Sequence, residues 1–278
     1  MSFGFHAVYW REMLKFFRFK SVLFSSLIQP VMWLAFFGLA MSKSFDELIA
    51  MLPTIPGVPT VDYLSYMGAG IIAMDVLFSS LFGGTSLLFD KKFSLLKETI
   101  ASPISRINIV LGIGLSGVTK AFIQTFIIIA FGKVIGMDFF KGYTVQETVI
   151  SIIGIFLLVG IFTLGFLFLS GSIAITVDEP EGMQSILTLL SMPLFFVSNA
   201  LYPVDAFPRF LQVISVFNPL SLLANGIRYF ALGTNFSVMG NHYIYTSADI
   251  MLSFAGLILF SLVTLAAVLW RFNKVDIA

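Results

Sequence analysis

Apolar residues do not alternate with polar ones along this chain; they gather in long runs near 21–42, 63–89, 107–132, 147–177, 183–201 and 249–270. A helix that crosses a bilayer needs about 20 predominantly apolar residues, and each run is of that order. The pattern predicts six membrane spans joined by short polar connections, with no segment long enough for a soluble domain, so 1–278 reads as one membrane domain. Six spans place both termini on one side. Ahead of the first span, Trp10, Met13, Leu14 and Phe17 recur at i, i+3, i+4, i+7, while Arg11, Lys15 and Arg18 occupy the opposite side of the same helix. Residues 1–20 therefore read as an interfacial helix, aromatic face in lipid and basic face toward anionic headgroups. The simpler reading is a basic signal that only orients span one.

Two connections carry more than a turn. After Phe89, Asp90 can cap a helix, Phe93, Leu96 and Ile100 share one face, and Pro103 stops the helix before span three. The segment 90–106 is then a short two-faced helix between long spans. Such an element either docks into a groove on a soluble partner or lies at the interface as a plain connector; periodicity does not choose. Further on, Pro203, Pro208 and Pro219 cut 202–230 into pieces too short to span, which predicts a re-entrant hairpin of two half-membrane helices. In the loop 43–62, Pro53, Pro56 and Pro59 around Gly57 exclude a continuous helix.

Composition agrees with the spans: 58% of residues are hydrophobic, 11% are charged and mean hydropathy is +0.97, which excludes a soluble domain. The absence of cysteine excludes disulfides, thiolate chemistry and cysteine metal sites. The net charge of +1 hides an asymmetry. Arg11, Lys15, Arg18, Lys20, Lys91, Lys92, Lys97, Arg106, Arg271 and Lys274 fall on one face, against Lys43, Lys133, Lys141, Arg209 and Arg228 on the other. The positive-inside rule makes the termini and the 90–106 connector cytoplasmic, and the acidic connection Asp178, Glu179, Glu181 scarcely weighs against it. The apolar run after Lys20 is too long for a cleavable signal.

Asp75 and Lys120 are the ionisable residues placed deepest in apolar helix. Asp75 lies 14 positions before Phe89 and Lys120 lies 14 after Arg106, about 21 Å from the same boundary at 1.5 Å per residue. An unpaired charge at that depth is costly, so the two are expected to pair with each other, as a helix lock, or to line a path. On the second view an ion-coupled secondary transporter using Asp75 and Lys120 is the alternative function. Gly68, Gly70, Gly83, Gly84, Gly112, Gly114 and Gly117 allow close helix approach. His6 and His242 are too far apart in topology to share a metal. Gly114-Leu115-Ser116-Gly117 resembles the serine motif of rhomboid proteases, yet no span carries a histidine to activate the serine.

The connector resembles that of type-2 ABC-transporter permeases, with Asp90, Leu95, Glu98, Pro103, Ser105, Arg106 and Leu111-Gly112 matching; Lys92 stands where the family commonly has Glu, and Ser94 where it commonly has Gly. A second match runs through Pro193, Ser198, Tyr202-Pro203, Pro208, Leu211, Asn218-Pro219-Leu220 and Arg228, similar to the family's fifth-span end and re-entrant hairpin. The resemblance implies an all-α integral membrane permease of an exporter. It would have six transmembrane helices, the N-terminal interfacial helix, a cytoplasmic coupling helix at 90–106 and the hairpin at 202–230. It implies coupling to an ATPase through Asp90, Phe93, Leu95, Leu96, Glu98, Ile100, Pro103 and Arg106, and a hairpin marked by Tyr202, Pro203, Pro208, Asn218 and Pro219. The chain has no Gly-x-x-x-x-Gly-Lys-Ser/Thr run, so it is not expected to be an enzyme or to hold a cofactor, and ATP and Mg belong to a partner ABC ATPase subunit. The other expected partners are a second copy or sibling permease and membrane lipids, with no nucleic acid, and the expected location is the plasma membrane.

Overall fold

A computed structural model of the chain describes residues 4–38, 40–42, 44, 47, 55–202, 204, 207–238 and 240–274. The expectations that involve Lys43, Pro53 and Pro203 lie outside the described residues. Helix α1 (Gly4–Arg18) is followed at once by α2 (Lys20–Trp33), which ends in a π-helical turn over Leu34–Gly38. Helix α3 (Tyr63–Gly83) starts where the Asp62 carboxylate accepts the Ser65 N–H at 2.9 Å, satisfying one of the free donors of the first turn. The connector folds as α4 (Thr85–Lys92) and α5 (Leu95–Ala101), and α6 (Arg106–Val134) follows.

Helix α7 (Val145–Thr176) opens on a capping box between Thr144 and Glu147, and the last helix, α11 (Ser247–Asn273), on one between Thr246 and Asp249. Between them lie α8 (Pro180–Phe196), α9 (Arg209–Phe217) and α10 (Pro219–Leu232). A small antiparallel pair, β1 (Asn235–Val238) and β2 (Asn241–Ile244), sets Asn235 opposite Ile244. The sequence pattern gave no sign of this pair: strands of four residues are too short for alternation to register.

Among the described residues five helices are long and apolar enough to cross a membrane: Leu23–Ser42, Tyr63–Lys92, Arg106–Val134, Val145–Thr176 and Ser247–Asn273. The pair α9–α10, bent by 75° at Asn218, makes a sixth if it is counted as one span. The protein is therefore a multi-pass helical membrane protein. The expected full span over 183–201 is a departure. Helix α8 has 17 residues, about 25 Å of rise against an apolar core of about 30 Å, and the chain leaves the helix after Phe196.

Helix α7 is the centre of the bundle, packed by α3, α6, α10 and α11. Helix α3 is buried along most of its length, whereas α2 and α11 turn most of their surface outward, including Phe24, Ile28 and Phe36 on α2. Helix α1 lies against α6, and Gly112 makes this contact possible: a Cβ there would lie 2.8 Å from the Phe5 carbonyl oxygen and 2.7 Å from the Val8 Cβ.

Candidate functional site

The connector is not the single helix over 90–106 that its periodicity predicts. Helix α4 ends at Lys92, and Ser94 takes a left-handed backbone conformation with φ 63° before α5 begins. Glycine adopts that conformation freely, whereas a side chain is strained there. The break shifts the helical phase, so Phe93 leaves the face shared by Leu96 and Ile100. Leu96 and Ile100 turn into the core, while Phe93 is 68% and Leu95 41% exposed, with Glu98 and Pro103 exposed beside them. The ring of Phe89, also exposed, stacks on Phe93 with centroids 6.4 Å apart and planes at 15°. The outward face of the connector is thus an aromatic ledge with a carboxylate at its edge.

Three ion or carbonyl contacts tie this ledge to the bundle. Asp90, expected as a helix cap, is instead buried inside α4 and accepts from Arg11 at 2.6 Å and Lys15 at 3.0 Å, both on α1. Glu12, also buried, shares the same two cations at 3.0 and 2.9 Å. Burial alone would push the Glu12 carboxyl up, but Lys15, Lys120 and Arg11 outweigh it and hold the group below its ordinary value of 4.5. Lys91 donates to the carbonyls of Ile175 and Val177 and to Asp178, at 2.8, 3.1 and 2.7 Å, neutralising the C-terminal end of α7. Arg106 donates to the Phe272 carbonyl in the last turn of α11. The connector is therefore held by α1, α7 and α11 together, and a push on it reaches three helices.

The other end of the bundle holds a second polar cluster. Arg228 on α10 is wholly buried and donates to the carbonyls of Asn199 and Ala200 at 2.9 and 2.7 Å, with its guanidinium 3.6 Å above the Tyr66 ring. These carbonyls belong to the non-helical stretch after α8, and Arg228 supplies the donors that a continued helix would have supplied. The backbone comes so close there that a Cβ on Gly70 would lie 1.6 Å from the Ala200 oxygen. Asn218 stands at the α9–α10 bend, donates to the Leu194 carbonyl at 2.7 Å and accepts from the Leu220 N–H at 2.9 Å, while Pro219 opens α10. Tyr202 donates to the Phe196 carbonyl at 2.9 Å, and Pro208 precedes α9 at the surface.

Asp75 and Lys120 do not form the predicted pair. Asp75 is 8% exposed in α3 and its Oδ2 has no hydrogen-bond partner, while Lys120 sits 5.7 Å from the Phe16 ring on the side facing α1. No ion pair joins Lys120 to a carboxylate among the described residues. Equal depth along two helices says nothing about which way their side chains point.

Residues 4–232 match the family described as ABC-2 type transporter. This chain belongs to that family. Its relatives include a putative transport permease ycf38 of Cyanophora paradoxa, 30% identical over 74% of this chain and 67% of that protein. The inner membrane transport permease YadH of Escherichia coli is 25% identical over 78% of this chain and 80% of its own length. The daunorubicin resistance ABC transporter permease DrrB1 of Streptomyces coeruleorubidus is 21% identical over 81% and 74%.

For an ABC-2 transport permease, the geometry sorts the connector residues into two sets. Phe93, Leu95, Glu98 and Pro103 face outward; Asp90, Leu96, Ile100 and Arg106 face the bundle. The sequence reading missed Glu12 and Lys91, which complete the latches. The acidic connection at Asp178 was the available signal for Lys91, because a cation beside a helix end needs only a nearby carboxylate to be placed.

Proposed function

We propose that this ABC-2 permease works as an ATP-driven exporter subunit. Two copies, or this chain and a sibling, enclose the pathway at their shared face, and a separate ABC ATPase carrying ATP and Mg docks from the cytoplasm on the Phe93–Leu95–Glu98 ledge. The observation that carries the reading is the exposed aromatic ledge held to three helix ends, since apolar anchors with a charged rim are what a soluble partner's groove recognises. The concentration of Lys and Arg near the connector and both termini supports a cytoplasmic placement. The bent α9–α10 pair is read as the re-entrant hairpin, and the apolar outward residues of α8 and α9, such as Leu189 and Phe217, as the surface toward the second permease. The daunorubicin resistance named for the DrrB1 relative supports outward transport.

The test is recovery of the tagged protein from detergent-solubilised native membrane with mass spectrometry of what co-purifies. The expected result is an ATPase with a Walker motif, lost when Leu95→Ser and Glu98→Ala are combined. Repeated recovery of the chain with no ATPase would contradict the reading and return weight to ion-coupled transport.

A further inference from the structure

Between α1, α2, α3, α6 and α7, on the connector side of the bundle, lies a cavity of about 330 Å³, at the small end of the range for small-molecule sites. Its polar lining includes Glu12 and Lys15 from α1 and Lys120, Gln124 and Thr163 from membrane-spanning helices, and Phe19, Phe82 and Leu167 add apolar wall. Gln124 and Thr163 are 2% and 1% exposed, and the Gln124 Oε1 and Thr163 Oγ1 have no hydrogen-bond partner. Two orphaned polar groups at such burial are costly unless something fills the space they face.

The charge decides what that is. Arg11 and Lys15 are matched by Glu12 and Asp90 in the latch described above, so the latch is neutral. The ions that line the cavity, Glu12, Lys15 and Lys120, sum to one positive charge. Lys120 is the surplus cation of this wall: it lies beside the Phe16 ring and within the field of Glu12, a carboxylate that Arg11 and Lys15 already share. A cation in that position marks a site for an anion. Its three donors, with the Gln124 amide and the Thr163 hydroxyl, suit an anion with several oxygens rather than a single acceptor. The outer wall is α2, the least buried span, so the cavity adjoins the lipid-facing side of the bundle.

We propose that this cavity binds the phosphomonoester headgroup of an anionic amphiphile, Lys120 pairing with the phosphate, the Thr163 hydroxyl and the Gln124 Nε2 donating to its oxygens and the Gln124 Oε1 accepting from its P–OH, while the acyl chains leave past Phe19. The site is distinct from the ATPase ledge and from the face between permeases, and its test needs no ATPase.

Binding is measured on the purified full chain in detergent with dihexanoyl phosphatidic acid, with dihexanoylglycerol as the phosphate-free control and with inorganic phosphate. Saturable binding of the phosphatidic acid but not of the glycerol is expected, weakened about tenfold or more by Lys120→Met and kept within about threefold by Lys120→Arg. Thr163→Val, an isosteric change, is expected to weaken it about fivefold and serves if Lys120→Met fails to fold. Inorganic phosphate binding as tightly would uphold the anion site and name free phosphate as its source; binding a hundredfold weaker would name the lipid. No saturable binding of either phosphate probe, or affinity untouched by Lys120→Met and Thr163→Val, would overturn the proposal.

Discussion

At the connector end four ions, Arg11, Glu12, Lys15 and Asp90, neutralise one another in a cluster whose two cations remain about a third exposed. At the α9–α10 end Arg228 is 0% exposed, held by two carbonyls and a tyrosine ring, with no carboxylate partner among the described residues. The difference separates a joint from a rivet. Ion pairs that reach water can open and re-form at small cost, because solvent replaces the lost partner. A guanidinium gripping backbone carbonyls in the apolar interior has no such substitute, and the carbonyls it releases are stranded. Movement imposed on the connector is then expected to pass through α1 and α7, while the end of α8, α10 and α3 turn as one body.

The contrast is broken most sharply at Arg228. Arg228→Leu strands the Asn199 and Ala200 carbonyls and is expected to cost about 4 kcal/mol, read as a large fall in thermal unfolding temperature in detergent; an unchanged unfolding temperature would remove the rivet from the account. Gly70→Ala attacks the same contact from α3 and is expected to cost about 3 kcal/mol by overpacking against the Ala200 oxygen. At the other end, Asp90→Ala is expected to cost about 2 kcal/mol, visible chiefly as faster hydrogen exchange across 85–101; exchange that rises equally around Arg228 would erase the distinction between the ends. Ser94→Gly removes the side-chain strain of the left-handed turn and is expected to stabilise by about 1 kcal/mol.

The smallest effect is the pH dependence of the joint. The Glu12 carboxyl is held below its ordinary 4.5 by Lys15, Lys120 and Arg11, against the opposing push of burial. A lowered folded value means that its stabilisation is complete above the unfolded value and is lost as pH falls through the folded one. Protection of the α1–α4 amides, after division by the intrinsic exchange rate at each pH, is therefore expected to be flat from neutral pH down to about 4.5 and to fall below it. A loss of protection on a rise above pH 7 would have the wrong sign.

The spans were readable because a bilayer demands long uniform runs, and the cap residues Thr144, Glu147, Thr246 and Asp249 mark two helix starts by type alone. The connector was readable as an element but not as a surface. One residue at φ 63° rotates α5 against α4, and a periodicity count that assumes one helix places Phe93 with Leu96 and Ile100 on the wrong side. The pairing of Asp75 with Lys120 failed for a related reason, since depth follows from rise per residue while azimuth depends on how helices pack. The end of α8 was hidden because apolar composition continues past Phe196, and the donors on Asn218 and Arg228 that serve the carbonyls there lie far along the chain.

The most direct test of the central claim uses the absence of native cysteine. Single thiols introduced as Phe93→Cys, Leu95→Cys, Leu96→Cys and Ile100→Cys, each loaded with a photo-crosslinker in native membrane, read which face of the connector touches a partner. Adducts with an ATPase from positions 93 and 95, and none from the buried 96 and 100, are the expected result. Adducts from 96 and 100 alone, or from no position while transport continues, would contradict docking on the exposed ledge.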